Sequence, residues 1–186
     1  MVQDIMFKSH NNAENSHLKN YLAISVPLCQ DAHWFSQLRG ALSHVTVRWQ
    51  KGHYHSTIAF MNEMPEASML EEHFTRQTAP TLTFDKLDAF STSSEHILCI
   101  TSSKPSEAFM SLVLTLRKQL IESKCLPPQD FLLHVTLARI PIKAIALDDL
   151  KALIAPICIP SFTMTLTEVK HIIYKGDTIK SWELPQ

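Results

Sequence analysis

Only three glycines occur in the 186 residues, and none forms a glycine-rich loop that could cradle a nucleotide's phosphates, so hydrolysis of the P-loop type is excluded. Charge of one sign is missing too. Seventeen basic against eighteen acidic residues leave a formal charge of -1, which argues against coating long nucleic acid through phosphate contacts alone while leaving a small or terminal phosphate open as a ligand. No apolar run approaches the roughly 18 residues that span a bilayer, and MVQDIMFKSHNNAENSH lacks the charged-then-apolar order of a signal peptide. The expectation is therefore a cytoplasmic protein without a membrane partner. Cysteine is sparse and scattered: Cys29, Cys99, Cys125 and Cys158 form no C-x-x-C pair, so they are expected to be buried thiols rather than disulfides or zinc ligands.

What remains is a chain that is 45% hydrophobic and long enough to bury a sizeable core. KSHNNAENSH is polar and turn-forming, so residues 1–19 read as a flexible tail before a single bilobal domain over 20–186. YLAISV, HVTVRW, HYHSTIAFM and FLLHVTLARI read as strands, with TLTFDKLDAF and EHILCITS as one strand pair and FTMTLTEVKHIIY and TIKSWEL as another. Helices are expected at DAHWFSQLRGAL, EASMLEEHFTRQ, ALDDLKALIA and, with the clearest period, KPSEAFMSLVLTLRKQLIES, where Phe109, Leu112, Leu116 and Leu120 recur at three and four. The order of elements roughly repeats, which suggests two related α+β lobes; a parallel α/β sheet would also accommodate helices between strands, but the linkers between adjacent strands are too short for crossovers and favour mostly antiparallel sheet.

Two of these strands carry His-x-Thr. Side chains alternate across a strand, so His55 and Thr57 share one face, and so do His134 and Thr136. An imidazole can give or take a proton near neutral pH, and a hydroxyl two residues along can hold an oxyanion. Facing each other, two such strands would put one histidine on each side of a phosphate, the arrangement that in-line displacement needs, with no metal or other cofactor required. A histidine on a strand is more often structural than catalytic, and a third triplet, His44-Val45-Thr46, shows that the triplet alone does not mark a site. His53-x-His55 has no third ligand at a recognisable spacing and is not read as a metal site.

HSTIAFMNE and HVTLARI, with VRW before the first, resemble the two motifs of the 2H phosphoesterase superfamily, and in particular the bacterial and archaeal family called 2'-5' RNA ligase or RNA 2',3'-cyclic phosphodiesterase. The likeness runs roughly from Asn20 to Leu184 and is strongest at the motifs. It implies an α+β fold of two pseudo-symmetric lobes, helices outside, around a central groove that holds both motifs, and opening of a 2',3'-cyclic phosphate at an RNA end or on a small nucleotide to leave a 2'-phosphate, in some members with reversible 2'-5' joining. Carried over, His55 would protonate the departing O3', His134 would activate water, and Thr57, Thr136 and Arg139 would bind the substrate phosphate. Phe60 and Trp49 are candidates for stacking on a base, with core packing as the alternative. Strict alternation from His134 puts Arg139 on the opposite face, so either the strand is irregular there or Arg139 is an ordinary solvated side chain. Asn62 stands where the family has glycine, Leu133 where it has proline, and IIYKGD lacks the usual serine, which leaves substrate preference open. A 2H phosphodiesterase for a 2'-5' oligonucleotide or an ADP-ribose cyclic phosphate, and a non-catalytic RNA-binding module, are the rival readings; a monomer is expected.

Overall fold

A computed structural model describes residues 20–173 and 177–186; the expected tail over 1–19 and the tyrosine of the late segment IIYKGD lie outside the described residues. The chain opens with β1 (Asn20–Val26), whose Leu22, Ile24 and Val26 are buried, and α1 (His33–Ala41), which buries Trp34, Phe35 and Leu38. A two-residue β2 (Arg48–Trp49) leads to β3 (Tyr54–Met61) and α2 (Ala67–Thr75). Then come β4 (Thr81–Phe84), β5 (Lys86–Ser91), β6 (Glu95–Thr101), α3 (Glu107–Glu122) and β7 (His134–Pro141). The chain closes with α4 (Leu147–Ile154), β8 (Phe162–Thr165), β9 (Glu168–Ile173) and β10 (Asp177–Glu183).

Every strand pairing is antiparallel, as the short linkers require. One sheet has the order β10-β9-β1-β3, a second the order β2-β7-β6-β5, and β4 and β8 form a small third sheet. The two larger sheets place the strands carrying His-x-Thr, β3 and β7, in equivalent settings: each pairs with the strand that precedes it across a helix, β3 with β1 and β7 with β6. A single apolar core joins both lobes, with Ile24, Phe35, Phe74, Phe109, Val135 and Leu137 fully enclosed. Each such large side chain contributes about 1.5 to 3 kcal/mol by leaving water. The longest helix, α3, is capped by Ser106, whose hydroxyl accepts the Phe109 N–H at 3.4 Å, and no described helix is long and apolar enough to cross a membrane.

Four sequence expectations are corrected. TLTFDKLDAF is two strands, because the Asp85 carboxylate accepts hydrogen bonds from the Ser103 N–H at 2.7 Å and the Ser103 hydroxyl, turning the chain between β4 and β5. Only β5 then pairs with β6, while β4 reaches across the sequence to β8, so FTMT also leaves its expected hairpin. HVTVRW is a strand only at Arg48 and Trp49, the two residues with partners in β7, and His44 lies in the turn after α1. Finally, Cys99 and Cys125 are buried as expected, with burial pushing the Cys99 thiol up to about 12, whereas Cys29 and Cys158 are exposed.

Candidate active site

Read from the histidine onward, β3 and β7 bury their residues in the same order: half-buried, buried, half-buried, buried, buried, exposed, buried. Two successive buried residues break the alternation of a regular strand, and the pairing shows why. Leu22 faces Ala59 and the next residue, Ala23, faces Thr57, so Ile58 is an extra residue in β3. Likewise Leu98 faces Ala138 and Cys99 faces Thr136, so Leu137 is extra in β7. Both are β-bulges immediately after the threonine, and each shifts the phase of the strand by one. The fifth residue after each histidine is thereby turned onto the histidine's face: Phe60 in β3, Arg139 in β7. This resolves the question that strict alternation raised for Arg139.

A bulge frees backbone groups that must find partners elsewhere. Arg117, on α3 and only 5% exposed, donates Nη1–H to the Ile58 carbonyl at 2.8 Å and Nη2–H to the Gln129 carbonyl at 2.8 Å. At the second bulge the Gln50 N–H donates to the Leu137 carbonyl at 2.8 Å. One irregular strand is thus held by a buried guanidinium, the other by the end of β2.

The structure brings His55, Thr57, Phe60, His134, Thr136 and Arg139 to one groove of about 610 Å³. Trp49 is not among them. Alternation along the short β2 sends Gln50 to the groove and Trp49 the other way, where its ring lies 5.5 Å from Phe35 and the Arg39 guanidinium sits 5.5 Å over it. Its place is in packing against α1, and the stacking role expected for it is corrected accordingly.

Both imidazoles are oriented from behind. The His134 Nδ1–H donates to the Leu132 carbonyl at 2.9 Å, which leaves Nε2 to face the groove chemistry, and the backbone of His53 favours the charged form of the His55 ring, partly offsetting its burial. Aromatic rings pack beside them: Tyr21 lies 5.5 Å from His55 and 5.6 Å from Phe60, and Phe90 meets His134 edge-on at 5.1 Å. Burial lowers the pKa of both histidines from the ordinary 6.5; Arg139 lowers both further, and His55 itself lowers His134. Two imidazoles so placed hold one proton more readily than two, which is the state an acid/base pair needs. Among the described residues no three His, Cys, Asp or Glu side chains converge where a metal ion could sit.

Several groove residues escaped the sequence reading. Phe90 and Glu95 reach it, and Tyr21 reaches the His55 and Phe60 rings beside it, only through strand pairing, which leaves no local signature. Arg117 did leave one: a charged residue within the apolar stripe of α3, between Val113 and Leu120.

No family model and no curated protein matches the sequence. Solved structures do. E. coli LigT in complex with 3'-AMP matches with a TM-score of 0.62 at 23% identity over 91% of this chain and 99% of that one. A structure described as a phosphoesterase matches with a TM-score of 0.62 at 23% identity, covering 91% of this chain and all of its own. Kluyveromyces marxianus Usb1 with uridine monophosphate matches with a TM-score of 0.53 at 14% identity over 90% of this chain and 98% of that one. The chain therefore shares the fold of these solved structures, LigT and Usb1 among them.

Proposed function

We propose that the protein is a metal-independent phosphodiesterase that opens 2',3'-cyclic phosphates at RNA ends or on small nucleotides. The observation that carries this reading is the opening of two backbone-anchored imidazoles, from equivalent bulged strands, onto one groove that also holds two threonines and an arginine. The neighbours are consistent with it, since LigT has been crystallised with 3'-AMP, NADP+, ATP and phosphate, and Usb1 with uridine monophosphate.

In this mechanism His134 is the base. That role follows the resemblance of its motif; burial, Arg139 and His55 lower its pKa and so favour the neutral ring, whose Nε2 lone pair takes a proton from the attacking water. Water oxygen bonds to phosphorus opposite O3', and Arg139 with the two threonine hydroxyls balances the charge growing on the non-bridging oxygens. The P–O3' bond breaks as His55 gives its proton to O3', leaving a 2'-phosphate. His55 ends neutral and His134 protonated, so solvent resets the pair between turnovers. Reversible 2'-5' joining is the same path with a ribose 5'-hydroxyl in place of water, and its reverse, attack by O3' with the 5'-oxygen leaving, restores the cyclic phosphate.

The test is incubation of the intact protein with 2',3'-cyclic AMP and excess chelator, followed by chromatography of the products. Formation of 2'-AMP supports the proposal; no turnover, or 3'-AMP as the product, rules it out. Two further outcomes follow. Phe60, 52% exposed on the groove face, is placed to stack on a base, so Phe60→Ala is expected to raise KM for cyclic nucleotides about tenfold with kcat little changed. The activity is also expected to follow a bell-shaped pH profile. The base works only above its pKa and the acid only below its own; both are lowered, so both limbs move to acid and the optimum of kcat/KM falls below the ordinary histidine 6.5. Arg139→Gln removes one cause of the lowering and should move that optimum toward neutrality while reducing its height.

A further inference from the structure

Glu95 begins β6, opposite Pro141, and its backbone is fixed by the turn that joins β5 to β6: its N–H donates to the Thr92 hydroxyl at 3.1 Å and its carbonyl accepts the Thr92 N–H at 2.8 Å. Two residues along β6, Ile97 is the direct partner of Arg139, so Glu95 and Arg139 are diagonal neighbours across the ladder. On the other side of β7, Arg48 stands directly opposite Arg139. Two guanidiniums opposed in a sheet repel unless an anion lies between them. Glu95 is that anion: Oε1 meets Arg48 Nη2 at 2.5 Å and Oε2 lies 3.6 Å from Arg139 Nη1, with the carboxylate lining the groove and only 22% exposed.

His55, His134, Arg139 and Glu95 line the same groove, so a phosphate between the imidazoles would meet Arg139 with the carboxylate paired to it. We infer that Glu95, held from outside the groove by Arg48, sets the charge selectivity of the groove: it lets Arg139 accept a phosphodiester monoanion but disfavours a phosphomonoester dianion. The inference rests on the proposed phosphodiesterase activity and deepens it. A cyclic phosphate carries one negative charge, whereas the 2'-phosphate it becomes carries between one and a half and two near neutrality. Without an opposing carboxylate, Arg139 would bind the more highly charged product more tightly than substrate. With Glu95 in place the extra charge is repelled as it forms, which favours release.

The test compares the intact protein with Glu95→Gln by titration calorimetry against 2'-AMP and inorganic phosphate, and by KM for 2',3'-cyclic AMP. Glu95→Gln should tighten 2'-AMP and phosphate on the order of tenfold, as loss of one partly shielded charge at this range implies, and change KM for the cyclic ester much less. Product inhibition in progress curves should deepen in parallel. Equal shifts for monoanion and dianion, or none, would overturn the inference while leaving the activity intact; absence of turnover by the unsubstituted protein would instead overturn the proposed reaction. If Glu95→Gln does not fold, Arg48→Gln serves, because it leaves Glu95 with Arg139 alone. It should weaken dianion binding more than monoanion binding, and the same two results count against the idea.

Discussion

Replacing His134 by alanine is expected to slow hydrolysis of 2',3'-cyclic AMP by on the order of 100-fold or more, with KM changed far less, and His55→Ala should do the same. The asymmetry between the two constants is the point. On the proposed mechanism each imidazole moves a proton in the transition state, whereas Arg139, Thr57, Thr136 and the face of Phe60, all groove residues, would hold the bound substrate and are left in place by the substitutions. Because the two histidines act on one event, the double variant should be little worse than either single one. Steady-state kinetics of the three variants, beside thermal melts showing that they are folded, checks this. Full additivity of the two losses, or unchanged rates, would refute a shared acid/base step. His44→Ala serves as the control: it carries the same triplet but lies in the turn after α1, outside the groove, and should leave turnover as it was.

The second large effect concerns Arg117. Substitution by leucine keeps the bulk on α3 but removes both guanidinium hydrogen bonds, leaving the carbonyl of the bulged Ile58 without its donor in the interior. Loss of charged hydrogen bonds to buried acceptors of this kind costs about 2 to 4 kcal/mol. In a chain of this size that lowers Tm by about 5 to 15 °C. The cost should also appear in function. Arg117 joins β3 to residue 129, just ahead of β7, and so fixes the side of the groove that carries His55 and Phe60 against the approach to His134. Arg117→Lys, which keeps the charge and one donor, should recover part of both losses. Calorimetric melts and kcat/KM for the two variants measure this, and a leucine variant as stable and as active as the parent would show that the bulge needs no such anchor.

The two His-x-Thr strands and the four helices were legible because each rests on local pattern: alternation in HYHSTIAF, the three-four period of Phe109, Leu112, Leu116 and Leu120. The faces of His55, Thr57, His134 and Thr136 followed from the period of two. Phe60 and Arg139 did not, since a single bulged residue reverses the assignment and nothing in IAF or LAR announces one. The pairing of β4 with β8, separated by about eighty residues, was invisible for a related reason: sheet partners are chosen by the assembled core, and each strand alone fits a hairpin as well. Glu95 entered the site by the same route. For Trp49 the sequence offered both stacking on a base and core packing, and the direction of its side chain, toward Phe35, decides for packing.

The matched bulges have one more result. A backbone that repeats itself would present a ligand with two interchangeable ends, and a nucleotide could settle either way round with equal ease. What tells the ends apart is the single pair of equivalent positions that differ most in character: a phenyl ring on one side, a guanidinium on the other. Exchange of those two side chains is thus the smallest change that would ask a bound nucleotide to turn about.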